Sequence, residues 1–197
     1  MAADDIILGY ARIWTAPTGS AFPSPLSVAY GAAWGGSWTY FGDTLTPLSF
    51  GGDRAVYDVM IQQAISPVKS IVTKDEHNFK TVMARHDVNM LNLLLLGSLT
   101  TTPAGTGTPG YYSIAFGGKQ VPNRLAVGFE ALWQTDAGVQ TPIRWMFYIG
   151  SVLQDGDIVY DRDKEAGVPI NIKTYIDTAK TANQQAGRLD IVFSPGV

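Results

Sequence analysis

Residues 124–133 read Arg-Leu-Ala-Val-Gly-Phe-Glu-Ala-Leu-Trp. Apolar side chains stand at every second position, as at Leu125, Val127 and Phe129. Because successive side chains of a β-strand point to opposite faces, this alternation predicts a strand with one buried face. Residues 143–149 repeat the pattern. The two segments together predict a sheet that covers an apolar core.

The same reasoning extends the sheet along the chain. Further strands are predicted at residues 6–15, 45–50, 56–65, 70–73, 76–85, 111–116, 168–176 and 189–193. Lys74-Asp75 is predicted to turn a hairpin, and residues 98–110 are predicted to be a Thr/Gly/Pro-rich loop. About nine or ten strands indicate a mainly β protein, a two-sheet sandwich or barrel with long loops. We expect residues 1–197 to form a single domain.

One helix is predicted, at about residues 86–96, and it should flank the sheets. Asp87 can cap its first turn, and Gly97 can end it in the left-handed region. Leucines occupy nearly every side between these two positions, so the helix should be largely buried. The candidate buried residues are Met90, Leu91, Leu94 and Leu95.

Residues 16–43 form a segment rich in glycine, proline and aromatic residues, which we call the arm. Prolines and glycines disfavour a regular core strand throughout the arm. A free linker rarely carries large rings, because each ring would be exposed to water. The arm should therefore dock on its own domain or on a neighbouring subunit. Its candidate contact residues are Trp34, Trp38, Tyr40 and Phe41.

Composition excludes several classes of protein. Only 16% of the residues are charged and the net charge is −3, which argues against a chain built to grip nucleic acid. Cysteine is absent, so there is no disulfide framework or thiolate metal site. The N-terminus lacks the basic region of a signal peptide, and the longest apolar run, near Leu93, is too short to span a bilayer.

No constellation of residues predicts an enzyme, a cofactor or a metal. The glycines of residues 105–110 match a nucleotide-binding pattern by letter, but they lack the strand before and the helix after that this motif needs. His77 and His86 have no partner at the spacing of a zinc site. The acidic residues of segment 155–165 alternate with Arg162 and Lys164, which favours a solvated turn over a calcium site.

Several motifs, taken in order, resemble the tail tube (major tail) proteins of long-tailed bacteriophages. Residues 13–19, Ile-Trp-Thr-Ala-Pro-Thr-Gly, form a strand that ends in a turn. Residues 38–43, Trp-Thr-Tyr-Phe-Gly-Asp, form an aromatic-glycine segment. A short strand closed by Gly51-Gly52 follows, and then residues 65–69, Ile-Ser-Pro-Val-Lys, lead into a strand pair and the leucine-rich helix. The resemblance covers about residues 6–97.

The resemblance implies that subunits form rings, usually hexameric, which stack into a tube around a continuous inner barrel. The expected partners are further copies of the chain and the tape-measure, tail-terminator and distal tail or baseplate proteins. DNA would pass without specific binding. The protein would be part of the virion, assembled in the host cytoplasm, without inserting in a membrane. The candidate lumen residues are Asp58, Gln62, Gln63 and Glu130, and Phe50 and Arg54 join the candidate inter-subunit residues of the arm.

Other functions remain open at this point. The inner tube of a contractile tail or of a secretion-type injection system would use a similar fold. A tail terminator or a head decoration protein is another virion component with such a composition. Exposed Trp and Tyr residues would also suit a carbohydrate-binding β module. Terminators stay as single rings and sugar-binding modules as monomers, so the size of the assembly distinguishes these classes.

Overall fold

The computed structural model describes residues 6–25, 29–60, 66, 68–84, 87–134, 140–160 and 166–192. Within these ranges the chain has ten strands and one helix. In chain order they are β1 (Ile6–Pro17), β2 (Thr39–Asp43), β3 (Ser49–Val59), β4 (Lys69–Met83), α1 (Val88–Leu94), β5 (Ser98–Thr102), β6 (Tyr111–Ala115), β7 (Leu125–Gln134), β8 (Gln140–Gln154), β9 (Val168–Tyr175) and β10 (Gly187–Ile191).

Eight strands form one antiparallel sheet. Seven of them follow the order β2-β1-β7-β8-β9-β4-β3, and β10 pairs alongside β8. The remaining strands, β5 and β6, form a separate hairpin. The prediction of a mainly β protein with one helix is confirmed for the described residues.

The large sheet folds back on itself and forms two layers. The ring centroid of Phe79 in β4 lies 4.4 Å from that of Phe129 in β7 and 4.9 Å from that of Phe147 in β8. Because two strands separate β4 from β7 in the sheet, this contact requires the β9-β4-β3 layer to lie over the β1-β7-β8 layer. Met90 and Leu94 of α1 complete the core between the layers. The result is a sandwich with a flanking helix, as predicted.

The third and fourth strands are longer than the sequence predicts. Gly51-Gly52 does not close a strand but lies within β3, where a Cβ atom at Gly51 would overlap the Oδ1 atom of Asn78 on β4. The predicted turn at Lys74-Asp75 is also wrong. Both residues lie within β4, beside a bulge, and form ion pairs with side chains of β3.

Helix α1 begins as predicted and ends differently. Asp87 caps it, because its side chain accepts a hydrogen bond of 2.8 Å from the N–H of Asn89. At the C-terminal end Leu96, not Gly97, takes the left-handed conformation, with φ +52°. The N–H groups of Leu96 and Gly97 donate to the carbonyls of Leu93 and Asn92, the hydrogen-bond pattern of a Schellman motif.

Gly97 is explained by the neighbouring hairpin. A Cβ atom at Gly97 would lie 2.5 Å from the Cγ2 atom of Ile114 in β6. The prediction of a loop over residues 98–110 is partly wrong, because residues 98–102 pair with β6 as strand β5. Glycine at this position therefore allows the end of α1 to approach the β5–β6 hairpin closely.

Candidate assembly surfaces

The arm docks on its own domain. Trp34 stacks on Trp14 of β1, with ring centroids 5.4 Å apart, and meets Trp38 edge-on at 5.0 Å. The Nε1–H of Trp38 donates a hydrogen bond of 2.8 Å to the carbonyl oxygen of Ala21. These rings form a second core with Ala126 and Met146 on the outer side of the β1-β7-β8 layer. That layer is therefore covered on both faces.

The four candidate contact residues of the arm differ in how far they are buried in the protomer. Trp34 and Trp38 are buried in the second core, and Phe41 is buried in the main core. Tyr40 is half-buried against Trp14. Three of these four candidate inter-subunit residues thus have no free surface to offer a neighbour, and the docking alternative that the structure supports is the intramolecular one.

A row of charged residues crosses five strands beneath the arm. In the strand register Asp43 lies opposite Arg12, Arg12 opposite Glu130, Glu130 opposite Arg144, and Arg144 opposite Asp190. The charges alternate in sign along the row. Opposite charges on directly facing positions attract each other, so the row favours this register over a shifted one.

Residues at the centre of the row form hydrogen bonds with the backbone of the arm. The Oε2 atom of Glu130 accepts a hydrogen bond of 3.0 Å from the N–H of Gly31, and the Nη1 atom of Arg12 donates to the Gly31 carbonyl at 2.9 Å. Arg144 donates to the carbonyl of Ala29 at 3.4 Å. Nearer the start of the arm, Arg188 donates to the carbonyl of Pro23 at 3.0 Å. The buried Glu130 and Arg144, together with the partly exposed Arg12 and Arg188, therefore bind the arm through its main chain.

Glu130, a candidate lumen residue, lies beneath the arm in the protomer. Its side chain is fully buried and forms an ion pair of 2.8 Å with Arg144, whose side chain is 1% exposed. The sequence places Glu130 on the face opposite Phe129, which is correct, but the arm covers that face. The Glu130 carboxylate is therefore covered in the protomer.

The hairpin of β3 and β4 extends beyond the two-layer body. Among the described residues, only residues 78–83 of β4 pair with β9, and residues 69–77 pair with β3 alone. The end of the hairpin, residues 56–60 and 68–72, which we call its outer half, carries large exposed apolar side chains: Val56, Tyr57, Met60, Val68, Ile71 and Val72. Val56 pairs with Val72 and Tyr57 with Ile71, and neighbouring residues of a strand point to opposite faces. The outer half of the hairpin therefore exposes apolar side chains on both faces.

Three further candidate residues, Phe50, Arg54 and Asp58, lie on this hairpin. Asp58 is exposed and accepts a hydrogen bond from Ser70, while Gln62 and Gln63 lie outside the described residues. Phe50 is about half exposed and packs on Phe79, with ring centroids 4.8 Å apart. Arg54 is exposed and pairs with Asp75 at 3.2 Å.

The helix residues divide by face. Met90 and Leu94 are buried, whereas Leu91 and Leu95 are half-buried. The helix therefore turns one side to the core and leaves the other only partly covered. It is also too short to cross a membrane, and no described helix is long and apolar enough to do so.

His77 and the 105–110 loop make contacts within the fold. His77 stacks on Phe50, with ring centroids 5.5 Å apart. In the 105–110 loop, Gly105 and Thr108 exchange backbone hydrogen bonds in a tight turn. His86 and residues 161–165 lie outside the described part of the chain. Within the described part, no three His, Asp or Glu side chains are grouped as a metal site would require.

A sandwich with an open sheet edge and an apolar hairpin is typical of a structural protein that binds other protein chains. Residues 2–185 match the family model described as "Phage tail tube protein". The chain belongs to this family, which confirms the resemblance. It is thus a structural protein of the phage tail tube, a component of the virion that associates with copies of itself.

Two further comparisons add little. A solved structure titled "Crystal structure of Hcp protein" is 13% identical, and the match covers 93% of this chain and 99% of that one. Its TM-score of 0.36 is too low to carry an argument. The comparison with curated proteins gives no match.

Proposed function

We propose that the chain assembles into rings, hexameric as in related tubes, that stack into a tube through which the phage genome passes into the host. Assembly takes place in the host cytoplasm. The tube meets tape-measure protein inside, a terminator at one end and distal tail or baseplate proteins at the other. DNA crosses it without specific binding.

The outer half of the β3–β4 hairpin carries this proposal. A two-stranded ribbon is marginally stable alone in water, and this ribbon exposes apolar side chains on both faces. Val56 and Tyr57 are 54% and 62% exposed in the protomer. Burial of such residues gains about 25 cal/mol per Å² of apolar surface, so the hairpin gains most when inserted between two other surfaces.

The edge of the sheet supports the same conclusion. β3 is the last strand in the sheet order, so one of its sides has no partner among the described strands. Long unpaired edges tend to bind other strands, and natural proteins usually cover them. In a ring, a neighbouring subunit covers this edge, with Phe50 and Arg54 beside it on β3. A contact between unlike surfaces repeats from subunit to subunit and builds an extended assembly.

The hairpin variants Val56→Ser and Tyr57→Ser test the proposal, since they alter opposite faces of the ribbon. Val159→Ser is the matched control, because Val159 is 63% exposed outside the hairpin. We expect both hairpin variants to keep the thermal stability of the protomer but to form short tubes or none in negative-stain electron microscopy. The control should form tubes like the unmodified chain. Normal tubes from both hairpin variants would contradict the proposal.

A further inference from the structure

One broad sheet face of the protomer is polar and uncovered. It is the outward face of the inner halves of β3 and β4 and of β9, which we call the polar face. Its side chains alternate along each strand with inward core residues such as Phe79 and Ile172. Strand register brings them side by side, with Asp53 opposite Glu76, Asn78 opposite Lys173, and Lys80 opposite Asn171.

Every lysine on the polar face lies beside a carboxylate. Lys173 pairs with Glu76 at 3.5 Å, and Lys80 pairs with Asp155 at 2.8 Å. Lys74 pairs with Asp53 at 2.5 Å and reaches Glu76 at 3.5 Å. The hydrogen bond to Asp53 is the largest cause of the raised pKa of Lys74, so this lysine stays charged.

These pairs balance the charge of the face. The lysines are Lys74, Lys80 and Lys173, and the carboxylates are Asp53, Glu76 and Asp155, so three positive charges meet three negative ones. The centre of the face is a shallow groove of about 430 Å³ between Gly51, Glu76, Asn78 and Lys173. Among the described residues, no large apolar side chain lines this groove.

The outer side of the β1-β7-β8 layer, in contrast, is not an open polar surface. The arm covers it with Trp34 and Trp38, and its charges are buried. The outer half of the hairpin is apolar and suits a protein contact. Of these three described surfaces, the polar face is therefore the one that is both polar and uncovered.

We propose that the polar face lines the channel of the tube and is the surface that meets the DNA in transit. This inference rests on the proposed function and replaces Glu130 in the channel wall with residues such as Glu76, Asn78 and Lys173. DNA binds proteins largely because lysines and arginines displace counterions from its phosphates. A lysine already paired with a carboxylate gains less from a phosphate. The balanced wall therefore neither holds the polyanion nor repels it strongly.

Cysteine labelling of assembled tubes tests this assignment, because the chain has no cysteine of its own. Asn78→Cys places a thiol on the polar face, and Thr18→Cys places one on the exposed start of the arm. Each variant is treated with a small maleimide and with a maleimide attached to a globular protein, as protomer and as tube. Asn171→Cys, on β9, is the second variant for the face.

We expect the large reagent to label position 78 in the protomer and to lose more than an order of magnitude of its rate in tubes. The small reagent should still label it in tubes, and Thr18→Cys should react with both. Undiminished labelling by the large reagent would place the face outside the tube. Loss of labelling by both reagents would make it a contact between subunits. Either result at positions 78 and 171 overturns the inference while tubes still form, whereas absence of tubes from the unmodified chain overturns the proposed function itself.

Discussion

The carboxylate of Glu130 lies 2.8 Å from the Nη2 atom of Arg144, and neither side chain is more than 1% exposed. The two residues face each other on neighbouring strands, and each also binds the main chain of the arm. The pair therefore joins the sheet to a segment about a hundred residues away in the sequence. Its value to the fold depends on both charges being present.

Removal of one partner should be far more harmful than removal of both. Glu130→Ala leaves Arg144 charged and buried without its carboxylate, which typically costs about 3–5 kcal/mol of folding free energy. Replacing both residues with leucine should cost less than that single change, because no buried charge remains. Urea denaturation measures both values.

The exposed ion pair Arg54–Asp75 provides the control. Its side chains are 60% and 43% exposed, so Arg54→Ala should change the free energy of unfolding by no more than about 1 kcal/mol. Equal losses for Glu130→Ala and Arg54→Ala would show that burial of the pair has no energetic consequence.

Gly128 should not tolerate a side chain. A Cβ atom there would overlap the ring of Trp34, which lies against the strand. Gly128→Ala should cost about 1–3 kcal/mol, because overpacked cores must shift rings or backbone. It should also change the tryptophan fluorescence. Gly52→Ala is the matched control within a strand, since the nearest atom to its Cβ would be 3.7 Å away. A Gly128→Ala variant as stable as Gly52→Ala would mean that the arm is not packed on β7.

The end of α1 predicts opposite effects for two adjacent residues. Leu96 holds φ +52°, a conformation that costs a non-glycine residue about 1–2 kcal/mol, so Leu96→Gly should lose little stability or gain some. Gly97→Ala should destabilise, because its Cβ would press on Ile114. Thermal denaturation of the two variants measures the difference. Equal losses of stability in the two variants would contradict the assignment of the strained conformation to Leu96.

Removal of carboxylates from the polar face should strengthen the binding of DNA to the protomer. Glu76→Gln with Asp155→Asn removes the carboxylates from Lys173 and Lys80. The protomer should then bind a short DNA duplex more tightly, and the slope of log K against log salt should steepen by about 1.8 for two released lysines.

A matched pair of substitutions controls for net charge. Asp58→Asn with Asp177→Asn changes the charge by the same amount away from the polar face. It should leave DNA binding nearly unchanged. An equal increase for both double variants would show that overall charge, and not pairing on the face, governs the affinity.

Much of the fold follows from local pattern, and the rest depends on distant contacts. Alternation alone predicts β7 and the apolar side of β8, because each residue's face depends only on its position in the strand. The glycines of β3 suggest a turn until Asn78, on the facing strand, explains them. Nothing near Glu130 in the sequence reveals that Gly31, in the arm, covers it. Sequence pattern does not predict the candidate surfaces, since exposed and arm-covered polar residues look alike in sequence.

Negative-stain electron microscopy of the purified chain at increasing concentration tests the proposed assembly most directly. We expect tubes of uniform width that lengthen as the concentration rises, with the hairpin buried between subunits. Isolated rings that never stack, or a monomer at every concentration, would contradict it.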